Sequence, residues 1–150
     1  MPRLLGIDYG ARRMGIALTD TEGRTAYGYA TLDTRKCQVL KEIARIIDEE
    51  MVHEIVLGLP LRSDNDKPSE TAIAVEKFAQ ELRQRFPKHP LHLEDERFTS
   101  FAAEEGLKAD GWVPSKDSKA AVDKAAARIL LQDFLDERAR GEKPAPTTSD

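Results

Sequence analysis

The first third of the chain alternates between apolar runs and short polar turns. An apolar run over residues 3 to 9 predicts a buried strand, and the alternating residues 15 to 19 predict a second one. The polar segment Thr21–Arg24 is typical of a hairpin turn and leads to a third strand near residues 25 to 32. The fold is therefore expected to begin with three antiparallel strands.

The middle of the chain alternates between helical and strand patterns. Apolar residues recur at helical spacing between residues 34 and 51, which predicts an amphipathic helix. The β-branched run at residues 54 to 60 ends in Gly and Pro, as expected for a buried strand beside the first one. A second helix is predicted from Ser69 to Phe86, and residues 91 to 96 alternate like a final strand. This order predicts an α/β domain with a mixed five-stranded sheet flanked by helices on both faces.

The C-terminal part carries two further helical patterns. A short helix is predicted to end near Gly111, and Ser118 is a suitable cap for a last helix whose apolar residues form one stripe. We expect a single domain over residues 1–138. Residues 139–150 are expected to form a disordered tail, because the segment lacks large apolar residues that could dock it.

Composition and charge limit the classes of function. The 150 residues contain 23 Lys and Arg against 27 Asp and Glu, which gives a net charge of -4 and no overall attraction for nucleic acid. Any polyanion must therefore meet a local positive patch. Cys37 is the single cysteine, so a disulfide framework and a cysteine-based zinc site are excluded. The chain shows neither a signal-peptide core nor a membrane-spanning run, which predicts a cytoplasmic protein.

Three acidic residues occupy positions where the patterns permit a neutral side chain. Asp8 ends the first predicted strand, Glu96 ends the last strand, and Asp123 falls early in the last helix. Neighbouring strand ends converge in space, so these carboxylates are candidates for one catalytic site that binds Mg²⁺ or Mn²⁺ and hydrolyses a phosphodiester. Each acid also has an ordinary interpretation: an Asx turn for Asp8, an ion pair for Glu96 and an exposed helix charge for Asp123.

Positive side chains adjoin the same segments and are candidate contacts to a nucleic-acid backbone. The candidates for substrate binding are Arg12, Arg13, Arg62, Arg97, Lys116 and Lys119. Lys and Arg neutralise phosphates without reading the base sequence, so binding is expected to weaken as the salt concentration rises. The ordinary alternative is that each of these side chains only solvates the surface.

Four motifs link these residues to a known family. They are Gly6-Ile7-Asp8-Tyr9-Gly10, Gly58-Leu59-Pro60-Leu61, Asp95-Glu96-Arg97-Phe98-Thr99-Ser100 and Val122-Asp123-Lys124-Ala125-Ala126. In their order and spacing, over residues 4 to 135, the chain resembles the YqgF family, also called RuvX, whose bacterial members are described as candidate pre-16S rRNA nucleases or Holliday-junction resolvases. The resemblance implies a ribonuclease H-like fold related to the resolvase RuvC. It also implies that Asp8, Glu96 and Asp123 are the metal-binding acids.

The acidic pattern differs from that of RuvC-like resolvases. Those proteins carry an acid on the strand equivalent to residues 54 to 60 and two acids three positions apart on the last helix. This chain has Ala120 three residues before Asp123. Glu96, on another strand, would have to replace the missing acid, and Asp95 would contribute if the strand register differed by one residue.

The expected function is metal-dependent hydrolysis in 5'-end processing of pre-16S rRNA. The partner is structured RNA or branched DNA and not a membrane, and the protein is expected to be a monomer or a homodimer. One alternative is a Holliday-junction resolvase acting in recombination and repair, which needs two active sites and hence a dimer. Another is a non-catalytic RNA-binding assembly factor. An ATP-binding phosphotransferase begins with a comparable turn, but it needs a second domain of this kind.

Overall fold

The structure is a computed structural model that describes residues 3–59, 70–95, 99–111 and 119–145. Its strands are β1 (Arg3–Asp8), β2 (Arg13–Thr19), β3 (Ala26–Asp33), β4 (Val52–Leu59) and β5 (Leu91–Asp95). Within these ranges they form one sheet in the order β3-β2-β1-β4-β5. The strands β1, β2 and β3 pair antiparallel, whereas β4 is parallel to both β1 and β5. The predicted mixed sheet, with β4 beside β1, is confirmed.

Helices cover both faces of the sheet, as predicted. The described helices are α1 (Val39–Glu49), α2 (Glu70–Arg85), α3 (Thr99–Ala109) and α4 (Lys119–Ala139). The apolar sides of α1 and α2 pack on one face, while α4 crosses the other face and carries α3 on its outer side. None of these described helices combines the length and the apolar composition that a membrane crossing requires.

The alternation of β1 assigns its side chains to two separate apolar clusters. Leu5 and Ile7 are fully buried in the cluster under α1 and α2. Leu4 belongs to the cluster that α4 covers, together with Leu131 and Phe134. Burial of each such side chain stabilises the fold by about 1.5–3 kcal/mol. The period of two therefore decides which residues of β1 face α4.

Glycines on this face bring the backbone of α4 close to the sheet. A Cβ atom at Gly6 of β1 would lie 2.9 Å from the Cβ of Leu131, and one at Gly15 of β2 would lie 1.9 Å from the carbonyl oxygen of Asp123. Real Cβ atoms do not approach other atoms so closely, so any side chain at Gly15 would force α4 away from β2. The N-terminal half of α4 can thus lie close to the sheet because Gly6 and Gly15 have no side chains.

A buried ion-pair network holds the C-terminal half of α4 on the sheet. Glu54 of β4 is fully buried, and its Oε1 lies 2.9 Å from Arg138 Nη2 and 2.9 Å from His92 Nε2. The Arg138 guanidinium also stacks on Phe134, 4.8 Å from the ring centroid. Burial raises the pKa of Glu54, but the hydrogen bonds to His92 and Arg138 outweigh it and leave the pKa below its ordinary value. The docked helix therefore keeps this carboxylate ionised at neutral pH.

We expect Glu54→Gln to lower the free energy of unfolding by about 2 kcal/mol, because Arg138 is then buried without its counter-charge. Glu49→Gln is the matched control. Glu49 pairs with Arg45 at 2.7 Å on the exposed side of α1, where an ion pair contributes less than about 1 kcal/mol. Urea unfolding at pH 7 measures both variants, and equal losses would contradict the anchoring role of the buried network.

The segment that follows α4 contacts the end of the helix. Arg138 Nε donates a hydrogen bond to the carbonyl oxygen of Pro144 at 2.6 Å, and Lys143 lies 3.7 Å from Glu137. The predicted boundary between the domain and a disordered tail, at residues 138 and 139, stays a prediction. The predicted caps Ser69 and Ser118 lie outside the described residues.

Candidate active site

Asp8 is the last residue of β1 and belongs to the face of the sheet that α4 covers. Leu4 and Gly6 lie on that face, as their contacts with α4 show. Asp8 is the next residue in the same alternating series and is half-buried. Strand β1 therefore presents this carboxylate at its carboxyl end, on the side of α4.

Gly15 links Asp8 to Asp123. In the antiparallel register Gly15 of β2 lies directly opposite Asp8. The backbone carbonyl of Asp123 occupies the space where a Cβ of Gly15 would be. The three residues are therefore successive neighbours in space, although β1 and α4 stand near opposite ends of the chain. Both of the predicted acids that the structure describes therefore adjoin Gly15.

Arg13 forms an ion pair with Asp123. Its Nε donates a hydrogen bond to Oδ2 of Asp123 at 2.7 Å, a short distance typical of charge-assisted bonds. The side chains are 36% and 21% exposed, so the pair lies at the rim of the site and remains accessible to solvent. Arg13 was predicted to bind substrate; in this structure its partner is the predicted metal-binding acid.

The turn between β1 and β2 is held in one shape by backbone contacts. A Cβ at Gly10 would lie 2.1 Å from the carbonyl oxygen of Arg13, so only glycine fits there. Thr34 closes the turn from the end of β3, because its hydroxyl donates to the carbonyl of Ala11 at 2.6 Å and its amide donates to that of Arg12 at 2.9 Å. The side chain of Arg12 is left exposed. The turn thus presents Arg12 to solvent and Arg13 to Asp123.

The other predicted site residues differ in what the structure says of them. Lys119 is exposed at the first position of α4, on the same helix as Asp123. Asp95 is exposed at the end of β5, opposite Leu59 of β4. Residues that lie outside the described ranges are Glu96, Arg62, Arg97 and Lys116. Their roles, like those of the described candidates, stay predictions.

The chemistry of the two described acids suits a hard divalent cation. Carboxylate oxygens are the ligands that Mg²⁺ and Mn²⁺ prefer, and Asp123 already holds a cationic group, the guanidinium of Arg13. Within the described ranges, no group of three or more His, Cys, Asp or Glu side chains is arranged to hold a metal ion. Glu96, the third predicted acid, lies outside these ranges.

A second group of carboxylates, which the sequence patterns did not single out, lies between β5 and α4. Glu94 is 3% exposed and lies beside Glu137, with Lys143 Nζ 3.8 Å from its Oε1. Burial, and then the hydrogen bond and charge of Glu137, raise the pKa of Glu94 to about 8. Among the described residues, the buried Oε2 of Glu94 has no hydrogen-bond partner, which fits a carboxyl group that keeps its proton at neutral pH.

The raised pKa of Glu94 predicts that stability falls as the pH rises. The folded protein keeps the proton up to about pH 8, whereas the unfolded chain releases it near the ordinary value of 4.5, so unfolding releases a proton between these values. We expect Glu94→Gln to remove this dependence and to be at least about 1 kcal/mol more stable than the wild type at pH 8. Urea unfolding at pH 5.5 and pH 8 measures the effect.

Glu76→Gln is the control for this experiment, because Glu76 is exposed on α2. It should leave the difference between the two pH values unchanged. Parallel pH profiles for Glu94→Gln and the wild type would contradict the raised pKa of Glu94.

A groove of 490 Å³ opens beside the same turn, but on the opposite face of the sheet. Tyr9 and Phe78 line it with their rings 5.3 Å apart, and Lys41 and Arg85 contribute positive charge. Because Asp8 belongs to the α4 face, this groove is separate from the carboxylates. Tyr9 packs against Phe78 of α2 on that opposite face.

Comparison with known sequences identifies close relatives over most of the chain. Residues 2–137 match a family model described as "RuvX: Holliday junction resolvase". A relative from Phocaeicola vulgatus, named as a candidate pre-16S rRNA nuclease, is 37% identical over 140 residues that cover 92% of this chain and 98% of the relative. A protein of the same name from Chloroflexus aggregans is 38% identical over 136 residues, which cover 90% of this chain and 94% of the relative.

Solved structures show the same fold at low sequence identity. RuvC from T. thermophilus, in complex with a Holliday-junction substrate, has a TM-score of 0.62 at 13% identity and covers 95% of this chain and 98% of its own. The fowlpox virus resolvase in complex with junction DNA has a TM-score of 0.57 at 13% identity, covering 91% and 98%. The fold implied by the motifs, that of the ribonuclease H-like resolvases, is confirmed.

Proposed function

Because the chain belongs to the RuvX family, we propose that it is a metal-dependent nuclease that hydrolyses phosphodiester bonds in 5'-end processing of pre-16S rRNA. The observation that carries this proposal is the placement of Asp8 and Asp123 on either side of Gly15. Both residues adjoin Gly15 near the carboxyl end of β1, and α/β sheets commonly bind ligands at the carboxyl ends of their strands. The relatives named as candidate pre-16S rRNA nucleases support the choice of RNA.

Asp8 and Asp123, with Glu96, are the residues that would hold Mg²⁺ or Mn²⁺. When bound, the metal supplies an activated water and stabilises the charge on the leaving oxygen. The contribution of the chain is to fix where the carboxylates lie. The strand β1 holds Asp8 by its ladder to β2, and the close contact at Gly15 fixes the height of Asp123 above the sheet.

Exposed positive charges at the rim would bind the phosphates of the substrate. Arg12 on the turn and Lys119 at the start of α4 are both exposed, on the two segments that deliver the acids. Arg62, Arg97 and Lys116 are further candidates. Such contacts are independent of base sequence, so specificity for a precursor RNA would come from its shape and its single-stranded ends.

Holliday-junction resolution is the second candidate function. It is favoured by the family description and by the shared fold with resolvases that were solved on junction DNA. Symmetric cutting of a junction needs two active sites and thus a homodimer, whereas trimming of an RNA end needs only one. A non-catalytic assembly factor would bind RNA with the same surface and cut nothing.

One cleavage experiment separates these functions. Purified protein is incubated with end-labelled precursor 16S RNA, a four-way DNA junction and a linear duplex, each with Mn²⁺, Mg²⁺ or EDTA. We expect cleavage of the RNA near the mature 5' end with either metal and none with EDTA. Symmetric cuts in the junction alone would support the resolvase. RNA binding without cleavage of any substrate would support the assembly factor, and cleavage in EDTA would contradict the metal mechanism.

A further inference from the structure

The ion pair between Arg13 and Asp123 places a cation on a proposed metal ligand. Arg13 Nε lies 2.7 Å from Oδ2 of Asp123, and Asp8 is the neighbour across Gly15. Two carboxylates that share a site repel each other, and a guanidinium at this distance offsets part of that repulsion. A divalent cation does the same with twice the charge.

We propose that Arg13 is the internal counter-ion of the metal site. It neutralises Asp123 until a divalent cation takes its place, and it then releases Asp123 and binds a phosphate of the substrate. This inference rests on the proposed function, because it requires that Asp123 bind the metal. In this proposal Arg13 acts first on Asp123 and only afterwards on the substrate.

The geometry of the contact allows this exchange. Arg13 stands at the first position of β2, and 36% of its side chain is exposed, so it can turn outward without disturbing the core. Among the described residues the contact to Asp123 uses Nε, which leaves the two terminal nitrogens available to another acceptor. A guanidinium presents these nitrogens in the forked arrangement that suits phosphate oxygens.

The exchange predicts competition between Arg13 and the metal. Removal of the guanidinium abolishes that competition and also a repulsive charge close to the bound cation. We therefore expect Arg13→Gln to bind Mn²⁺ about tenfold more tightly than the wild type in the absence of nucleic acid. Arg12→Gln is the matched control. It removes the same charge from the neighbouring residue, whose side chain is exposed, and it should change the affinity for Mn²⁺ much less.

Two measurements on the full chain test the inference. Calorimetric titration with Mn²⁺ compares the wild type with Arg13→Gln, Arg12→Gln and Asp123→Asn, after thermal unfolding has shown that each variant is folded. In parallel, the NMR signal of the Arg13 Nε–H group, assigned by its loss in Arg13→Gln, is followed during titration with diamagnetic Mg²⁺. We expect this signal to move to the position of a solvent-exposed arginine as the metal binds.

The outcomes separate the inference from the function on which it rests. If Asp123→Asn abolishes Mn²⁺ binding while Arg13→Gln leaves it unchanged or weaker, Arg13 is not a competitor and the inference alone is overturned. An Nε–H signal that stays in place at saturating Mg²⁺ overturns it as well. If neither the wild type nor Arg13→Gln binds Mn²⁺, the metal-dependent function fails and the inference fails with it.

Discussion

Asp8→Asn is expected to reduce cleavage of precursor RNA by at least about 100-fold, because the loss of one ligand charge removes several kcal/mol of metal-mediated stabilisation from the transition state. The substitution preserves the shape of the side chain at the end of β1. We therefore expect the protein to remain folded while its affinity for Mn²⁺ falls. Rates at saturating Mn²⁺, together with a Mn²⁺ titration and a thermal unfolding curve, measure the three effects separately.

Asp48→Asn is the matched control for this loss. Asp48 is exposed on α1, on the face of the sheet away from α4, and the same chemical change there should leave the rate unaltered. Cleavage by Asp8→Asn at the wild-type rate would contradict the proposed site. Loss of cleavage in both variants would point to a general effect of charge.

Gly15→Ala is expected to lower the free energy of unfolding by about 3 kcal/mol, the upper end of the usual cost of overpacking. A methyl group there would lie 1.9 Å from the carbonyl oxygen of Asp123, so either α4 or β2 must shift. Alanine in place of glycine would otherwise be mildly favourable in a regular element. The shift should also move Asp123 away from Asp8, so the affinity for Mn²⁺ should fall in the molecules that remain folded.

Gly106→Ala provides the contrast. Gly106 lies within α3, and a Cβ there would meet nothing within 4 Å, so alanine should stabilise the protein by about 0.5–1 kcal/mol. Urea unfolding of the two variants compares a buried with an open glycine. If Gly15→Ala were as stable as the wild type, the close packing of α4 on β2 would be refuted.

Periodicity predicted the elements because each depends on residues that are close in sequence. The sheet order, the antiparallel opening and the four described helices follow from runs of 5 to 21 residues and from the rules for connecting them. Strand β2 begins at Arg13, two residues before the predicted start, because its ladder with Asp33 of β3 reaches into the turn. A partner strand can thus extend an element beyond its own apolar pattern.

The candidate site was predictable only in part, because its contacts join distant segments. The motif around Asp8 and the position of Asp123 in a helix were visible in the sequence, but the contact of both residues with Gly15 was not. The bond from Arg13 to Asp123 spans 110 positions, and no local pattern indicates it. A basic residue beside an acidic motif indicates a phosphate contact and an internal counter-ion equally well.

The buried carboxylates were missed for a related reason. Glu54 is the first residue of a strand predicted as buried from the apolar run that follows it, and Glu94 stands in a strand whose alternation predicts an outward-facing polar side chain. Helix α4 covers this face and buries both glutamates. Their partners, Arg138 and Glu137, lie on the last helix. A glutamate in a strand that a helix is predicted to cover would be the signal to look for.

The dependence of the site on α4 also determines when, during synthesis, the protein becomes a nuclease. Asp8 is made before Asp123, its proposed partner, which follows the whole described sheet in the chain, and α4 must then dock over Gly15. A growing chain therefore lacks one of the three proposed metal-binding acids until α4 has been made. An enzyme proposed to cut ribosomal RNA is in this way kept inactive towards the ribosome that is making it until the last helix has emerged.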